Sequence, residues 1–303
     1  MRIATSQSQA LMNRALAQNQ NKITELTAQM ASGAKLQAPS DDPVTNVRIS
    51  RLMREEAQVG QYRANIDAVK IGLQKNEAYL GSMVGDINEA RDLVVWALDG
   101  GNTPEDLQSM VNSMSSLRDS LFYNANTKDP EGRYIFSGTL SSTPALTFDA
   151  SAPAGSRYTY TGNEGQQQVV VGNGIAQTTN TNLSGLETLL NQMDSTLEAF
   201  QTPGASPADP ALRATLVAHL EGSDETMRLI SGKIADIGGA QNILSTLGDN
   251  LSNVSLSNQK ALTDLGQLDY GLAATELNGY NIALQSTYKA YAKVSSLSLF
   301  NLL

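Results

Sequence analysis

The chain has no cysteine, one histidine, one tryptophan and five phenylalanines in 303 residues. Without cysteine there are no disulfide staples, iron–sulfur clusters, thiolate zinc sites or cysteine nucleophiles. With His219 as the sole histidine, a multi-histidine metal site is excluded and a catalytic triad is not expected. Long apolar runs are missing too: the longest, Leu93 to Leu98, falls far short of the roughly 20 residues a membrane-spanning helix needs. An integral membrane protein is therefore not expected. No cationic stretch followed by an apolar one opens the chain, since Met1 to Gln20 is polar with scattered small and aliphatic residues. Secretion, if it occurs, is expected to use no cleaved signal. Basic side chains are scarce relative to acidic ones, 21 against 30, and the net charge of -9 repels phosphate backbones, so nucleic acid is not an expected partner. No Walker, Rossmann or nucleophile-elbow pattern occurs, and no catalytic residue, cofactor or metal is expected.

What is present is helical periodicity. A hydrophobic fraction of 41% in a chain of this length can fill two or three domain cores. Val59, Tyr62, Ile66, Val69, Leu73, Asn76, Leu80, Met83, Ile87, Ala90, Val94 and Ala97 alternate at spacings of three and four, which is a heptad seam. Asp42 before Pro43 supplies a helix cap ahead of a residue suited to the first helical position, and Gly100-Gly101 ends the run. The spacing thus predicts one helix of nearly sixty residues, on the order of 85 Å long at about 1.5 Å per residue. Thr103, followed by Pro104 and with Asp106 three residues on, starts a second helix with the stripe Leu107, Met110, Met114, Leu117 and Leu121. The two-glycine connection predicts an antiparallel return.

From Gly132 the character changes to Tyr, Thr, Val, Gly and Pro, with Arg157 to Thr161 and Gln166 to Val171 read as a β-hairpin across Gly162-Asn163-Glu164-Gly165. Gly172-Asn173-Gly174 reads as a further turn. Helical spacing resumes after Ser184, read as a cap reciprocated by Glu187, and runs from Leu186 to Phe200. Asp209-Pro210 repeats the cap-plus-proline start of a long heptad run through Leu216, Ile230, Ile237 and Leu244, in which Gly238-Gly239 weaken the helix without ending it. Final seams are Leu16, Ile23, Leu26 and Met30 near one end, and Ala273, Leu277, Tyr280, Leu284, Thr287, Tyr291 and Val294 near the other.

The expected fold is mainly α: an elongated rod of long antiparallel helices, with paired terminal helices forming a coiled coil and a small β-rich inserted domain. The expected domains are 1–42 with 268–303 (terminal assembly), 43–138 with 183–267 (helical rod) and 139–182 (β-rich insertion). Charge is sparse at the ends: Met1 to Asn21 carries two charged residues, Leu268 to Leu303 four, against 15 in Val47 to Asp99. Helices covered in Ala, Ser, Gln, Asn and Leu suit contact on several sides. Their apolar residues could each contribute roughly 1.5 to 3 kcal/mol if fully buried, which an unpaired helix cannot realise. Free subunits are accordingly expected to have poorly ordered ends. Ile23, Leu26, Met30, Leu277, Tyr280, Leu284, Tyr291 and Val294 are candidates for packing between copies. A coiled coil within one chain is the other reading of the same positions, and in a tube both can hold.

Gln29-Met30-Ala31-Ser32-Gly33 followed by Pro39-Ser40-Asp41-Asp42-Pro43 is similar to the N-terminal signature of the flagellin superfamily. Gly132-Arg133-Tyr134-Ile135-Phe136-Ser137-Gly138 is similar to a segment typical of its hook–filament junction members, and Tyr288-Lys289-Ala290-Tyr291 through Ser298-Leu299-Phe300 to their C-terminus. The resemblance runs nearly end to end and implies a structural subunit of the bacterial flagellum, a junction adaptor between hook and filament, with filament flagellin as the alternative. It also implies export by the flagellar type III apparatus, an extracellular location, a ring-like homo-oligomer, a neighbouring hook-associated protein and flagellin as partners, and an export chaperone on the C-terminal segment. A coiled-coil signalling rod and an enzyme are the rival classes, but no membrane span and no acid–base constellation can be assembled from the spacing. Asp41 and Asp42 could imitate paired catalytic carboxylates, yet Pro43 favours capping. His219 reads as a partly buried or surface residue, Trp96 as a packing residue, and Met83, Met110, Met114 and Met227 as core filling.

Overall fold

Proline at the first helical position opens three of the helices, because its fixed φ is helical and its missing N–H would have been unpaired there in any case. The computed structural model describes residues 2–296. Six helices and four short strands follow in the order α1 (Arg2–Ser32), α2 (Pro43–Ala97), α3 (Pro104–Ala125), β1 (Leu146–Phe148), β2 (Tyr158–Tyr160), β3 (Gln168–Gly172), β4 (Ile175–Thr178), α4 (Leu186–Gln201), α5 (Pro210–Gly266) and α6 (Tyr270–Ser296). The protein is mainly helical with a small β-rich insertion. Contacts divide it into two compact units, residues 1–60 with 253–303 and residues 61–252.

In the unit of residues 61–252, the seam of α2 is the spine of the core. Leu80, Met83, Ile87, Ala90, Val94 and Ala97 are fully covered, as are Leu107, Met114 and Leu121 of α3 and Leu216, Ile230 and Leu244 of α5. Asn76 keeps its seam position and is buried. The α2 helix is tied to α5 by Arg91 Nε and Asp224 Oδ1 at 3.1 Å and by a 2.8 Å bond from Gln241 Nε2 to Glu77 Oε2. The Ser120 hydroxyl of α3 donates to Asp86 of α2 at 2.7 Å. Two residues depart from the sequence reading. His219 is wholly buried, and Trp96 is 47% exposed, because it lies one position off the seam and on the outer face of α2.

Helix caps follow local chemistry. Thr103 and Asp106 form a reciprocal capping box at α3, and the two hydrogen bonds from the Thr103 backbone and hydroxyl hold the Asp106 carboxyl below the usual range. Asp42 accepts from the Thr45 hydroxyl at 2.6 Å and from its N–H at 3.0 Å, which lowers the Asp42 carboxyl in the same way. Asp209 accepts from Ala211 N–H at 3.0 Å. At α4 the cap is Gly185, not Ser184: its φ of 104° places it in the left-handed region, no side-chain oxygen caps the helix, and Glu187 reaches back to the Gly185 N–H at 2.9 Å. With Gly185 in that conformation as the N-cap, Ser184 stands one position before the cap and the Glu187 carboxylate alone reaches back to the helix start.

The β-rich insertion is built otherwise than the single expected hairpin. Strand β2 pairs with β1, and β3 with β4, both antiparallel, so the two segments expected to pair with each other do not. The connection Gly162 to Gly165 does not form a tight turn. A Cβ on Gly162 would collide with Tyr160 and Ser137, and Asn163 is bonded to Thr139, so this connection packs against the 137–139 loop. The true hairpin turn is Gly172-Asn173-Gly174, with Gly174 at φ 72°. Both outer edges of the β1–β2 pair are occupied by side-chain amides: Asn126 makes two 3.0 Å bonds to the backbone of Leu146, and Asn191 two 2.9 Å bonds to that of Tyr158. These amides stand in for missing neighbour strands. Asp194, almost fully buried on α4, pairs with Arg118 of α3 and Arg157 of the insertion, each at 3.2 Å, and fixes the module to the helices.

Candidate assembly surface

In the unit of residues 1–60 and 253–303, α1 pairs with α6, and the elbow between α5 and α6 is knotted to the end of α1. Gly33 leaves α1 at φ 72° and makes the knot possible. Lys35 N–H donates to Gly266 O at 2.8 Å, Leu268 N–H to Gly33 O at 3.0 Å, and the Tyr270 hydroxyl to Met30 O at 3.1 Å. Gln29 and Gln37 close the same loop through Lys35 O and the Ser32 hydroxyl. A side chain at position 33 would also press on the Tyr270 hydroxyl. Asp41 accepts from the N–H groups of Gln37 and Ala38 at 2.9 and 2.8 Å, so both neighbouring carboxylates are engaged in shaping the turn into α2.

The candidate seam residues share the α1–α6 pair unevenly. Leu26 is buried, while Ile23, Met30, Leu277, Tyr280, Leu284 and Tyr291 are half-buried. Val294 lies in α6, but its side chain, like the motif residues Ser298 to Phe300, falls outside the described residues. One partner helix covers one side only. Leu11, Leu272, Ile282 and Tyr288 remain exposed on the paired helices, as do Val44, Val47 and Met53 on α2. Sequence reasoning named the seam and missed this outer set; its signal was the shortage of charge, which leaves such residues with few charged neighbours. Lys22 is bonded to Glu25 at 2.7 Å, and that bond and charge, with Glu276 and Tyr280 of α6 nearby, raise its ammonium above the ordinary range.

Among the described residues no group of three or more acidic or histidine side chains is placed to hold a metal, and no helix is long and apolar enough to cross a membrane. A solved structure from Vibrio parahaemolyticus, described as a flagellar hook-associated protein, is 30% identical to this chain, with a TM-score of 0.68 over 75% of it and 100% of the other. The bacterial flagellin N-terminal helical region matches residues 3–141. The chain belongs to the flagellin family. Flagellar hook-associated protein 3 of Escherichia coli (strain K12) is 27% identical over 321 aligned positions, spanning 100% of this chain and 99% of the relative. Bacillus cereus FlgL, at 22% identity and a TM-score of 0.53 over 72% of this chain, shares the fold. As in any flagellin-family subunit, the role to be explained is structural.

Proposed function

We propose that this chain is a junction adaptor of the bacterial flagellum, assembling between hook and filament through its terminal helices. The observation that carries the reading is the α1–α6 pair, whose seam is only half covered while Leu11, Leu272, Ile282 and Tyr288 stand in solvent. Helices in this condition gain burial only from neighbouring subunits, at roughly 1.5 to 3 kcal/mol for each large side chain fully covered. Full-length similarity to proteins named as hook-associated protein 3 supports the place in the flagellum. In this reading segments 1–42 and 268–303 assemble, the helices between them form the shaft, and residues 139–182 are an outward module. The subunits form a ring, with a second hook-associated protein and flagellin as neighbours. The protein acts outside the cell after type III export, and a chaperone holds the C-terminal segment beforehand.

The test is deletion of the chain from its own bacterium. Cells are expected to keep hooks, carry no filaments and shed flagellin into the medium, as read by negative-stain microscopy and immunoblotting. Normal filaments on such cells would overturn the proposal, and growth of long filaments by the purified chain on seeds would favour filament flagellin instead.

A further inference from the structure

Charge is divided sharply between the two units. Residues 61–252 carry 22 acidic and 11 basic side chains, whereas the other unit carries 8 acidic and 10 basic. Two stripes on α2 concentrate the difference. Near its start, Val44, Val47, Arg48, Arg51 and Arg54 recur at spacings of three and four, which places them on one helix face. All five are exposed, Val44 at 81% and Val47 at 60%, and none of the three guanidinium groups makes an ion pair with another described residue. Near the end of the same helix, Glu89, Asp92, Val95 and Trp96, continued by Asp99 beyond its last turn, repeat that spacing with the opposite charge. Among the described residues Glu89 and Asp92 are exposed and in no ion pair, the Asp99 carboxylate accepts from the Gly101 N–H at 3.2 Å, and Val95 and Trp96 are 50% and 47% exposed.

We propose that the Val44–Arg54 stripe of one copy docks on the Glu89–Asp99 stripe of a second copy. Each stripe offers apolar groups beside charges of one predominant sign, the first carrying three arginines against one exposed carboxylate on the same face, Glu55, and the two predominant signs are complementary. Pairing them removes the like-charge crowding of each stripe and covers Val47, Val95 and Trp96 together. Arginine and tryptophan are also the side chains that most often anchor protein interfaces. Because the two surfaces differ, the contact is heterologous: every copy keeps one free stripe of each kind, so the contact passes from copy to copy until a ring closes or a helical turn continues. Part of its strength is electrostatic and weakens as salt rises. The inference rests on the flagellar reading above and specifies which surfaces meet.

The absence of cysteine supplies a clean test. Val47→Cys and Val95→Cys together leave every charge in place, and after treatment with a short bismaleimide any product of dimer mass or more reports a link between different chains. The doubly substituted chain is expressed in cells lacking the original copy, and flagella are isolated and treated. A ladder of dimers and higher multimers is expected from the double variant and none from either single variant. Attached filaments without a ladder overturn the contact and leave the flagellar reading standing. Dimers from Val47→Cys alone also overturn it, because they report a symmetric contact. If the unsubstituted chain itself restores no filaments, the flagellar reading fails and the contact with it. As a second measurement, Arg48→Glu, Arg51→Glu and Arg54→Glu together are expected to reduce attached filaments several-fold, with circular dichroism showing intact helices. Adding Glu89→Arg and Asp92→Arg is expected to restore them; a combined variant no better than the first counts against the pairing.

Discussion

Two buried polar residues show how much the interior asks of single side chains. Asp194 is 3% exposed and neutralises Arg118 and Arg157, whose side chains are 18% and 30% exposed. Asp194→Asn removes the shared charge, leaving Arg118 with Asp119 at 2.8 Å and Arg157 with the Ala152 carbonyl at 3.0 Å. The expected loss is about 2 to 3 kcal/mol, below the full cost of breaking a buried pair because both arginines reach solvent; urea unfolding measures it. His219 differs in kind. The Thr196 hydroxyl donates to Gln192 O at 2.9 Å, so the 3.0 Å contact to Nδ1 requires the proton on His219, and Nε2 is buried without a partner. Burial pushes the His219 pKa down to about 4. The unfolded chain, titrating near 6.5, therefore binds more protons across the window from about 6.5 to 4, and the stability contributed by neutral His219 is present above 6.5 and lost as pH falls to 4. At most about 3 kcal/mol is at stake. Thermal midpoints of the wild type should fall more steeply over that window than those of His219→Gln; parallel curves would contradict the assignment.

Among the elements, helices and strands were legible to different degrees. The seams of α2 and α5 could be read because an apolar residue every three or four positions is a local signal that burial then uses directly, and Gly238-Gly239 do not interrupt α5. The start of α4 was not legible, since either Ser184 or Gly185 satisfies the local pattern and the choice depends on the direction from which the chain arrives. The substitutions that separate them are Ser184→Ala, expected to be close to neutral, and Gly185→Ala, expected to cost about 1 to 2 kcal/mol for a Cβ in the left-handed region. The Leu229 methyl, 3.1 Å from where that Cβ would stand, adds to the second. Thermal melts decide the matter, and the reverse order would restore Ser184 as the cap. Strand partners were missed for a related reason: β2 and β3 are correctly extended, but their pairing is set by Asn126, Asn191 and Asn163, which lie far from them in sequence or act through loops.

At the scale of the whole molecule, the core formed by Ile66 to Leu244 lies entirely within residues 61–252. Removal of residues 1–30, or of the last thirty, should therefore abolish assembly while leaving the main calorimetric transition largely intact. Loss of that transition would show that the terminal helices belong to the core. The sequence by itself determined the mainly helical character, the long seams and the capping by Asp42, Thr103 and Asp209. These depend on periodicity and composition, which act over a few turns of chain. Only the tertiary structure decided that His219 is sealed in while Trp96 is left outside, that side-chain amides complete the β-strand edges, and that the apolar surface of the paired ends lies on Leu11, Leu272, Ile282 and Tyr288 as well as on the seam. Those outcomes depend on which faces of different segments meet, and a pattern along one chain states that a face is apolar without stating what covers it.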